Sequence, residues 1–189
     1  MTRRPAGSRV EYRVTTLEMT ARPAYDWPHL PADGSAASLL SAEAPPVWYV
    51  RALYDAVGRD HAWEDLQNEP DAELAVWLHD PEVRLWTLMR DGWPQGFFIL
   101  DARVAGETVL NLLGLVPEAI GQGYGRYLVR TAVLTAWARP GLERLTVETC
   151  SLDHPRALAV YQQAGFDVVA QETRSRVLGR DLDPSVWRP

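Results

Sequence analysis

A turn with three glycines at alternate positions, Gly121-Gln122-Gly123-Tyr124-Gly125-Arg126, joins two segments of different periodicity. Residues 109–116 are rich in branched apolar side chains and end at Pro117, which cannot donate a ladder hydrogen bond, so this stretch is typical of a central strand. After the turn, apolar residues recur at helical spacing until residues 140–141, Pro-Gly. The sequence therefore predicts a strand that passes through a glycine turn into a helix, as in an α/β fold.

The glycine turn has the properties of an anion-binding site. The first amides of a helix have no partner within the helix, and the helix dipole adds a positive potential at the same end. Glycines permit close approach because they lack a Cβ and adopt positive φ. Two known phosphate loops do not fit: the dinucleotide fingerprint would need glycine at Arg126 or Leu128, and the P-loop needs a lysine, which this chain does not contain. A turn that only redirects the chain is the alternative.

A second motif follows at Tyr161-Gln162-Gln163-Ala164-Gly165-Phe166 and puts a phenol on a helix. Together the two motifs resemble those of the GNAT-type N-acyltransferases. That family's cofactor loop, Arg/Gln-x-x-Gly-x-Gly/Ala, falls on Ile120, Gly123 and Gly125. Its second pattern, Asn-x-x-Ala-x-x-x-Tyr-x-x-x-Gly-Phe, falls on His154, Ala157, Tyr161, Gly165 and Phe166.

The resemblance is close over residues 109–166 and extends in element order over 83–178. It implies an α/β fold of the α+β type: a GNAT-like mixed central sheet of about six to seven strands, splayed between the strands at 108–116 and 145–150, with helices on both faces. The sequence patterns agree with this order. They predict a strand at 10–19, helices at 47–57 and 71–78, hairpin strands at 83–89 and 96–100, strands from 108 and at 145–150, a helix at 155–164, and closing strands at 166–169 and 175–178.

The resemblance also implies a co-substrate, acyl-CoA and in the first place acetyl-CoA. Its pyrophosphate would be held by the glycine turn, and its pantetheine arm would pair with strand backbone in the splay. The residues implied in cofactor contacts are Leu115, Val116, Gln122, Gly123, Tyr124, Gly125, Arg126, His154 and Tyr161.

Three catalytic roles follow from the same resemblance. The Leu115 amide is the expected donor to the oxyanion, since it lies beside the expected thioester. Tyr161 is the expected acid for the departing thiolate, because a phenol with an ordinary pKa of about 10 can protonate a sulfur of similar basicity. Glu148, on the second splayed strand, is the candidate base, with Glu107 and Glu64 as alternatives.

Acceptor binding is predicted for Trp63, Glu64 and Asn111. An aromatic ring beside carboxylates suits an amine through cation–π and ion-pair attraction, and Asn111 can orient a water. Tryptophans that simply fill the core are an equally good interpretation. The acceptor would be a small-molecule or peptide amine.

The chain departs from the family pattern at three points. Ile120 stands where the family usually has Arg or Gln, His154 stands where an Asn is common, and residues 109–111 read Val-Leu-Asn where a glutamate often lies. The leading hypothesis is an N-acyltransferase that moves an acetyl or short acyl group to a primary amine in a ternary complex. Two alternatives stay open: an acyl-CoA-binding regulatory module with weak or no catalysis, and a protein that binds flavin or nucleotide.

Composition limits the other possibilities. The 189 residues, 47% of them hydrophobic, suffice for one core, so we expect a single domain over 1–189 with an irregular Pro/Ala-rich segment at about 22–46. A net charge of −6 disfavours nucleic acid. Cys150 is the single cysteine, the four histidines lack metal-motif spacing, and no apolar run approaches the roughly 18 residues of a membrane span. We therefore expect a cytoplasmic protein without a metal, a monomer or homodimer that binds no membrane.

Overall fold

The computed structural model describes residues 3–31, 36–183 and 185. Within them seven strands form one sheet: β1 (Arg9–Met19), β2 (Ala37–Ala42), β3 (Val83–Arg90), β4 (Trp93–Asp101), β5 (Glu107–Leu115), β6 (Arg144–Cys150) and β7 (Asp167–Val177). The same residues form the helices α1 (Val47–Gly58), α2 (Asp65–Asn68), α3 (Asp71–Leu78), α4 (Tyr124–Trp137) and α5 (Ala157–Gln163). None of the helices in this described part has the length and apolar character needed to cross a membrane.

The strand order across the sheet is β2-β3-β4-β5-β6-β1-β7. All neighbours are antiparallel except β5 and β6, which run parallel. A parallel pair needs a crossover connection, and α4 supplies it because the chain leaves β5 through the glycine turn and returns to β6 after α4. The sheet is therefore mixed, as predicted.

The hairpin between β3 and β4 forms at the predicted turn. Asp91 and Gly92 have φ values of 51° and 87°, so both central residues are left-handed. Two such residues make the type of turn whose twist matches that of the flanking strands. The Asp-Gly pair in the sequence therefore fixes the register of β3 against β4.

Neighbouring residues of β5 show that helices cover both faces of the sheet. A Cβ on Gly114 would overlap the Val57 side chain of α1, whereas Leu115 Cδ1 lies 3.7 Å from the Cβ position of Gly125 in α4. Consecutive side chains of a strand point to opposite faces, so α1 and α4 lie on opposite sides. Residues 97–99 of β4, covered from both sides, are fully buried.

The sheet parts between its two parallel strands. β5 and β6 pair from Glu107–Arg144 to Leu110–Val147, and in these two fully described strands the pairing ends there. A register shift against β4 leaves Asn111 as an extra residue in β5, which is a β-bulge that bends the strand. The C-terminal halves of β5 and β6 therefore diverge, so the predicted splay is confirmed.

The segment at about 22–46 was expected to be irregular, but part of it is a strand. β2 lies within it and pairs with β3 from Ala37–Arg90 to Ala42–Leu85. Its Ala-Ser-Leu-Leu-Ser-Ala sequence gives little side-chain signal because an edge strand is only partly covered. Backbone pairing with β3, which the local pattern does not reveal, makes this stretch a strand.

Two elements near the C-terminus also differ from the prediction. The two short closing strands are one strand, β7, which pairs with β1 over its whole length despite a register shift between Thr16 and Leu17. Its side chains are almost all exposed, so the sequence lacks the alternation that marks a half-buried strand. The helix predicted at 155–164 begins later, at Ala157.

Candidate active site

A cleft of about 1130 Å³ opens where β5 and β6 part. On one face of the sheet its wall is formed by α4 and α5. On the other face the wall is formed by Val57 at the end of α1 and by the connection that follows, with His61 and Trp63. The cleft thus passes between the strands from one face of the sheet to the other, and a ligand in it can contact both layers of helices.

The glycine turn closes one end of the cleft. Gly121 and Gly123 both have a φ of 85°, and Gly123 is the N-cap residue of α4. The Tyr127 amide donates to the Gly123 carbonyl (3.4 Å), so the amides that precede Tyr127 in the first turn have no partner within the helix. No side chain caps this helix start. The helix start thus has the backbone geometry that the glycine turn was expected to adopt, and its role as an anion site stays a prediction.

The amide of Leu115 points into the splay. The Val116 amide donates to the Gln95 carbonyl (2.9 Å), so that pair is of the hydrogen-bonded kind. Hydrogen-bonded and non-hydrogen-bonded pairs alternate along an antiparallel ladder, which makes the next pair, Gly96 with Leu115, the second kind. The Leu115 N–H accordingly faces away from β4 and towards β6. This direction is compatible with the oxyanion role expected of the amide, which stays a prediction.

Tyr161 of α5 lines the cleft and is only 6% exposed. Its ring meets that of Phe166 edge to face, with centroids 6.0 Å apart. Burial, and then the negative charge of Asp153, raise the pKa of the phenol well above its ordinary value. The hydroxyl is therefore protonated at neutral pH and can act as a donor.

Asp153 lines the cleft and joins two segments of its wall, although its sequence context indicates no part in the site. One carboxylate oxygen accepts from Trp63 Nε1 (2.9 Å), and the other accepts from Thr149 Oγ1 (2.8 Å) and the Cys150 amide (2.7 Å). These bonds tie the connection after α1 to the end of β6. The signal in the sequence was weak: an aspartate in the turn that follows a strand is common in any fold.

Two histidines, far apart in sequence, meet at this wall. The His61 and His154 rings lie 6.2 Å apart at 73°, and both line the cleft. Burial lowers the pKa of His61 below 6.5, although Asp153 and Asp60 act in the opposite direction. His61 is therefore neutral at pH 7 and has the chemistry of a general base. Spacing along the chain gave no sign of it, because only the fold brings residue 61 to residue 154.

Trp63 lines the cleft as predicted and also belongs to the core. A Cβ on Gly58 would overlap its side chain, and its ring centroid lies 5.2 Å from that of Tyr54. Its Cη2 atom is 3.6 Å from the Cβ position of Gly114, in the splayed part of β5. The indole therefore spans from α1 to β5: it packs in the core and also lines the cleft. Its contact with an acceptor stays a prediction.

Glu148 and Asn111 line the cleft from the two parting strands. Asn111 is exposed at the β-bulge. The Glu148 carboxylate accepts from Thr16 Oγ1 (3.2 Å) and pairs with Arg174 (3.4 Å), on strands β1 and β7. Serving as base would require Glu148 to loosen these contacts. Its alternative Glu107 pairs with the β6 residue opposite it, at the closed end of β5 and β6.

The structure brings most of the predicted residues together. Those that line the cleft are Trp63, Asn111, Leu115, Gly123, Gly125, Arg126, Glu148, His154 and Tyr161. Four further predicted residues, all described, lie outside its lining: Glu64, Val116, Gln122 and Tyr124.

Those four have other partners. Val116 uses its amide on Gln95, and Tyr124 is fully buried at the base of α4. The Gln122 side chain donates to the Glu118 carbonyl (2.8 Å) and accepts from Arg90. The buried Glu64 carboxylate accepts from the amides of residues 179 and 180 at 2.9–3.0 Å. Glu64 thus anchors the C-terminal segment, and its predicted role in acceptor binding has no support from its position.

The sheet order, the splay and the glycine-bounded cleft define an acetyltransferase fold. Residues 47–166 match the model of the acetyltransferase (GNAT) family, and the chain belongs to that family. None of the curated protein sequences is significantly similar to it.

Solved structures share the fold at low sequence identity. A GCN5-related N-acetyltransferase from Sphaerobacter thermophilus aligns with a TM-score of 0.57 and 16% identity over 94% of this chain and 53% of its own. One from Kribbella flavida aligns with a TM-score of 0.58 and 19% identity over 86% of this chain and 56% of its own. The chain thus spans little more than half of these two proteins.

A smaller protein aligns over most of its own length. The aminoglycoside N-acetyltransferase AAC(6′)-Iy, solved in complex with CoA, gives a TM-score of 0.53 and 19% identity over 73% of this chain and 92% of its own. At such identities these likenesses establish the fold and not the substrate.

Proposed function

We propose that the protein is an N-acyltransferase that moves an acetyl or short acyl group from acyl-CoA to a primary amine by direct transfer in a ternary complex. The observation that carries this proposal is the Leu115 amide, which faces the splay between the α4 N-terminus and Tyr161. An anion site, an oxyanion donor and an acid along one cleft are the parts that acyl transfer from a phosphorylated thioester needs.

In this proposal the main chain does most of the cofactor binding. The amides of Gly123, Gly125 and Arg126, which line the cleft, hold the pyrophosphate at the start of α4, and the groups of β5 that face the gap pair with the pantetheine arm. This explains how Ile120 is tolerated at the start of the turn, since a backbone donor does not depend on the side chain. His154 lines the wall along which the arm would run.

The chemical step uses few groups. The amine nitrogen attacks the thioester carbon, and the carbonyl oxygen, which becomes negative, accepts from the Leu115 amide. Collapse of this intermediate breaks the C–S bond, and the thiolate takes the proton of Tyr161. The proton that the amine loses passes to a base and, through solvent, restores Tyr161. The products are an amide and the free thiol of CoA.

Two residues compete for the role of base. Glu148 lines the cleft but is already paired with Thr16 and Arg174. His61 is neutral at pH 7 and stands beside Asp153, whose charge would stabilise the imidazolium once the proton has been taken. We favour His61 for this reason. To separate the two, each residue is replaced by glutamine and the pH–rate profile of transfer is measured. Only replacement of the true base should remove the fall in rate at low pH.

The acceptor is best sought among small amines. The fold neighbours described as aminoglycoside acetyltransferases recommend amino sugars as the first members of a panel that also holds polyamines, aromatic amines and peptide N-termini. The assay measures thiol released from acetyl-CoA. Thiol release that depends on one amine supports the proposal. CoA binding without release across the panel favours the regulatory module, and the absence of CoA binding contradicts both.

A further inference from the structure

Residues 20–31, between β1 and β2, lie across α4, and we call them the strap. The Tyr25 hydroxyl donates to the Ala164 carbonyl (3.2 Å), immediately after the end of α5. At the other end of the strap, Pro31 Cγ lies 3.6 Å from the Cβ position of Gly123. The strap therefore reaches from the end of α5 to the glycine turn, and it adjoins the cleft at both ends.

Tyr25 also contacts one arginine of α4. The guanidinium carbon of Arg130 lies 4.6 Å from the centroid of the Tyr25 ring, which is cation–π geometry. Arg130 lines the cleft with Arg126, one helical turn earlier on α4, whereas Tyr25 is not part of the lining. Tyr25 is half-buried, and burial raises the pKa of its phenol to about 12, with Arg130 acting in the opposite direction. The ring is therefore neutral at any physiological pH.

We propose that Tyr25 is a positioning residue that holds the Arg130 guanidinium against the phosphate groups of CoA. The proposal rests on the function proposed above. Side chains of a helix lean towards its N-terminus, so a guanidinium at residue 130 approaches the anion site at the start of α4. Stacking on the face of a ring leaves the N–H groups at the guanidinium edge free to donate to phosphate oxygens.

The strap also explains why one arginine among several should matter. Arg126 and Arg156 line the cleft as well, but both are exposed, and an exposed arginine loses much side-chain entropy when it binds. Arg130 is already ordered by the Tyr25 ring and the Tyr25–Ala164 hydrogen bond. Preorganisation of this kind increases affinity without a new ligand contact.

Calorimetric titration with three probes tests the proposal: CoA, 3′-dephospho-CoA and pantetheine, which has no phosphate. Tyr25→Ala should weaken CoA binding about five- to tenfold and leave pantetheine binding unchanged. If Tyr25→Ala loses affinity for CoA but not for 3′-dephospho-CoA, Arg130 contacts the 3′-phosphate. If it loses affinity for both, Arg130 contacts the pyrophosphate. Tyr25→Phe, which keeps the ring, should retain most of the affinity.

A double-mutant cycle tests whether Tyr25 acts through Arg130. In an Arg130→Ala background, Tyr25→Ala should cost nothing further. Trp27→Ala is the matched control, since Trp27 belongs to the same strap and is half exposed. Equal losses for CoA and pantetheine, or an unchanged affinity in Tyr25→Ala, would overturn the inference while the proposed function stands. If wild-type protein bound none of the probes, the proposed function itself would fall.

Discussion

Tyr161 holds its proton because its surroundings penalise the phenolate. In the proposed reaction, the burial that raises its pKa would also raise the pKa of a thiol that leaves beside it, because both anions would lose hydration. The pKa difference between the phenol and the thiol would therefore stay small, although each pKa would be shifted from its ordinary value. A tyrosine in open solvent next to a buried thiolate would lack this balance.

Replacing Tyr161 by phenylalanine should lower the turnover of acetyl-CoA by about 100-fold or more, since the thiolate must then leave unprotonated or take a proton from water. CoA affinity should change little, because the ring and its contact with Phe166 remain. Steady-state turnover and a separate CoA titration measure the two effects. Tyr49→Phe is the control, as its hydroxyl bonds Thr87 outside the cleft. A full rate in Tyr161→Phe would exclude the residue from the mechanism.

The start of α4 depends on backbone conformation more than on side chains. Gly123 ends the turn in a left-handed conformation, lines the cleft at the start of α4, and would bring a Cβ to 3.6 Å from Pro31 Cγ. Gly141, just beyond the other end of α4, is also left-handed, with a φ of 76°, and a Cβ there would meet nothing within 4 Å. The two glycines have similar strain but different surroundings.

Gly123→Ala and Gly141→Ala should therefore destabilise the fold by similar amounts, about 1 kcal/mol for a left-handed alanine. Only Gly123→Ala should also weaken CoA binding, by tenfold or more, because its methyl group obstructs the approach of a phosphate to the helix amides. Thermal denaturation measures the first effect, and calorimetric titration measures the second. Equal CoA affinity in the two variants would mean that the phosphate does not lie at this turn.

Sequence patterns located the elements whose signal is local. Pro117 and the spaced glycines marked the junction of β5 and α4, and Asp91-Gly92 marked the hairpin. β2 escaped notice because its strand character comes from pairing with β3. The wall formed by His61, Trp63 and Asp153 could not be predicted as a unit. The hydrogen bond from Trp63 to Asp153 joins residues 90 positions apart, and no local sequence pattern indicates such a contact.

At the scale of the whole molecule, the part of the cleft wall that carries His61 and Trp63 rests on residues 179–180. Glu64 is 6% exposed, next to Trp63, and accepts from the Gly179 and Arg180 amides. Arg180 in turn pairs with Asp55 of α1 (2.9 Å). Residues 179–180 are thereby fixed under the connection that supplies His61 and Trp63, so the geometry of the wall depends on a segment remote in sequence.

Glu64→Ala should destabilise the protein by about 1–3 kcal/mol, since the Gly179 and Arg180 amides lose the buried carboxylate that accepts from them. In the proposed function, the acceptor KM should rise more than the CoA dissociation constant, because residues 179–180 support the connection that carries His61 and Trp63, whereas the CoA phosphates bind at the start of α4. Urea denaturation and the two binding measurements check this. Glu69→Ala, at an exposed glutamate just after α2, is the control. A larger loss of CoA affinity than of acceptor affinity would contradict the assigned role.

His61 should make the fold sensitive to mild acid. Its folded-state pKa lies below the unfolded value of about 6.5, so below that pH the unfolded chain binds a proton that the folded chain does not. The contribution of neutral His61 to the free energy of unfolding is therefore fully present above pH 6.5, and it decreases as the pH falls towards the folded-state pKa. His61→Gln should lose less stability between pH 7 and 5 than wild type in urea denaturation, and His29→Gln, at an exposed site, should behave as wild type. A steeper loss in His61→Gln would contradict this assignment.

The divergence of β5 from β6 should make the sheet locally less stable along the cleft than in its paired parts. The peptide groups of residues 113 and 115 that face the gap have no strand partner in β6, so deuterium uptake should be fast there and slow at residues 97–99 of β4, which are fully buried. Any occupant that binds only the native state should slow this uptake and raise the melting temperature in proportion to its saturation. Occupancy of the cleft is therefore measurable before any acceptor is known.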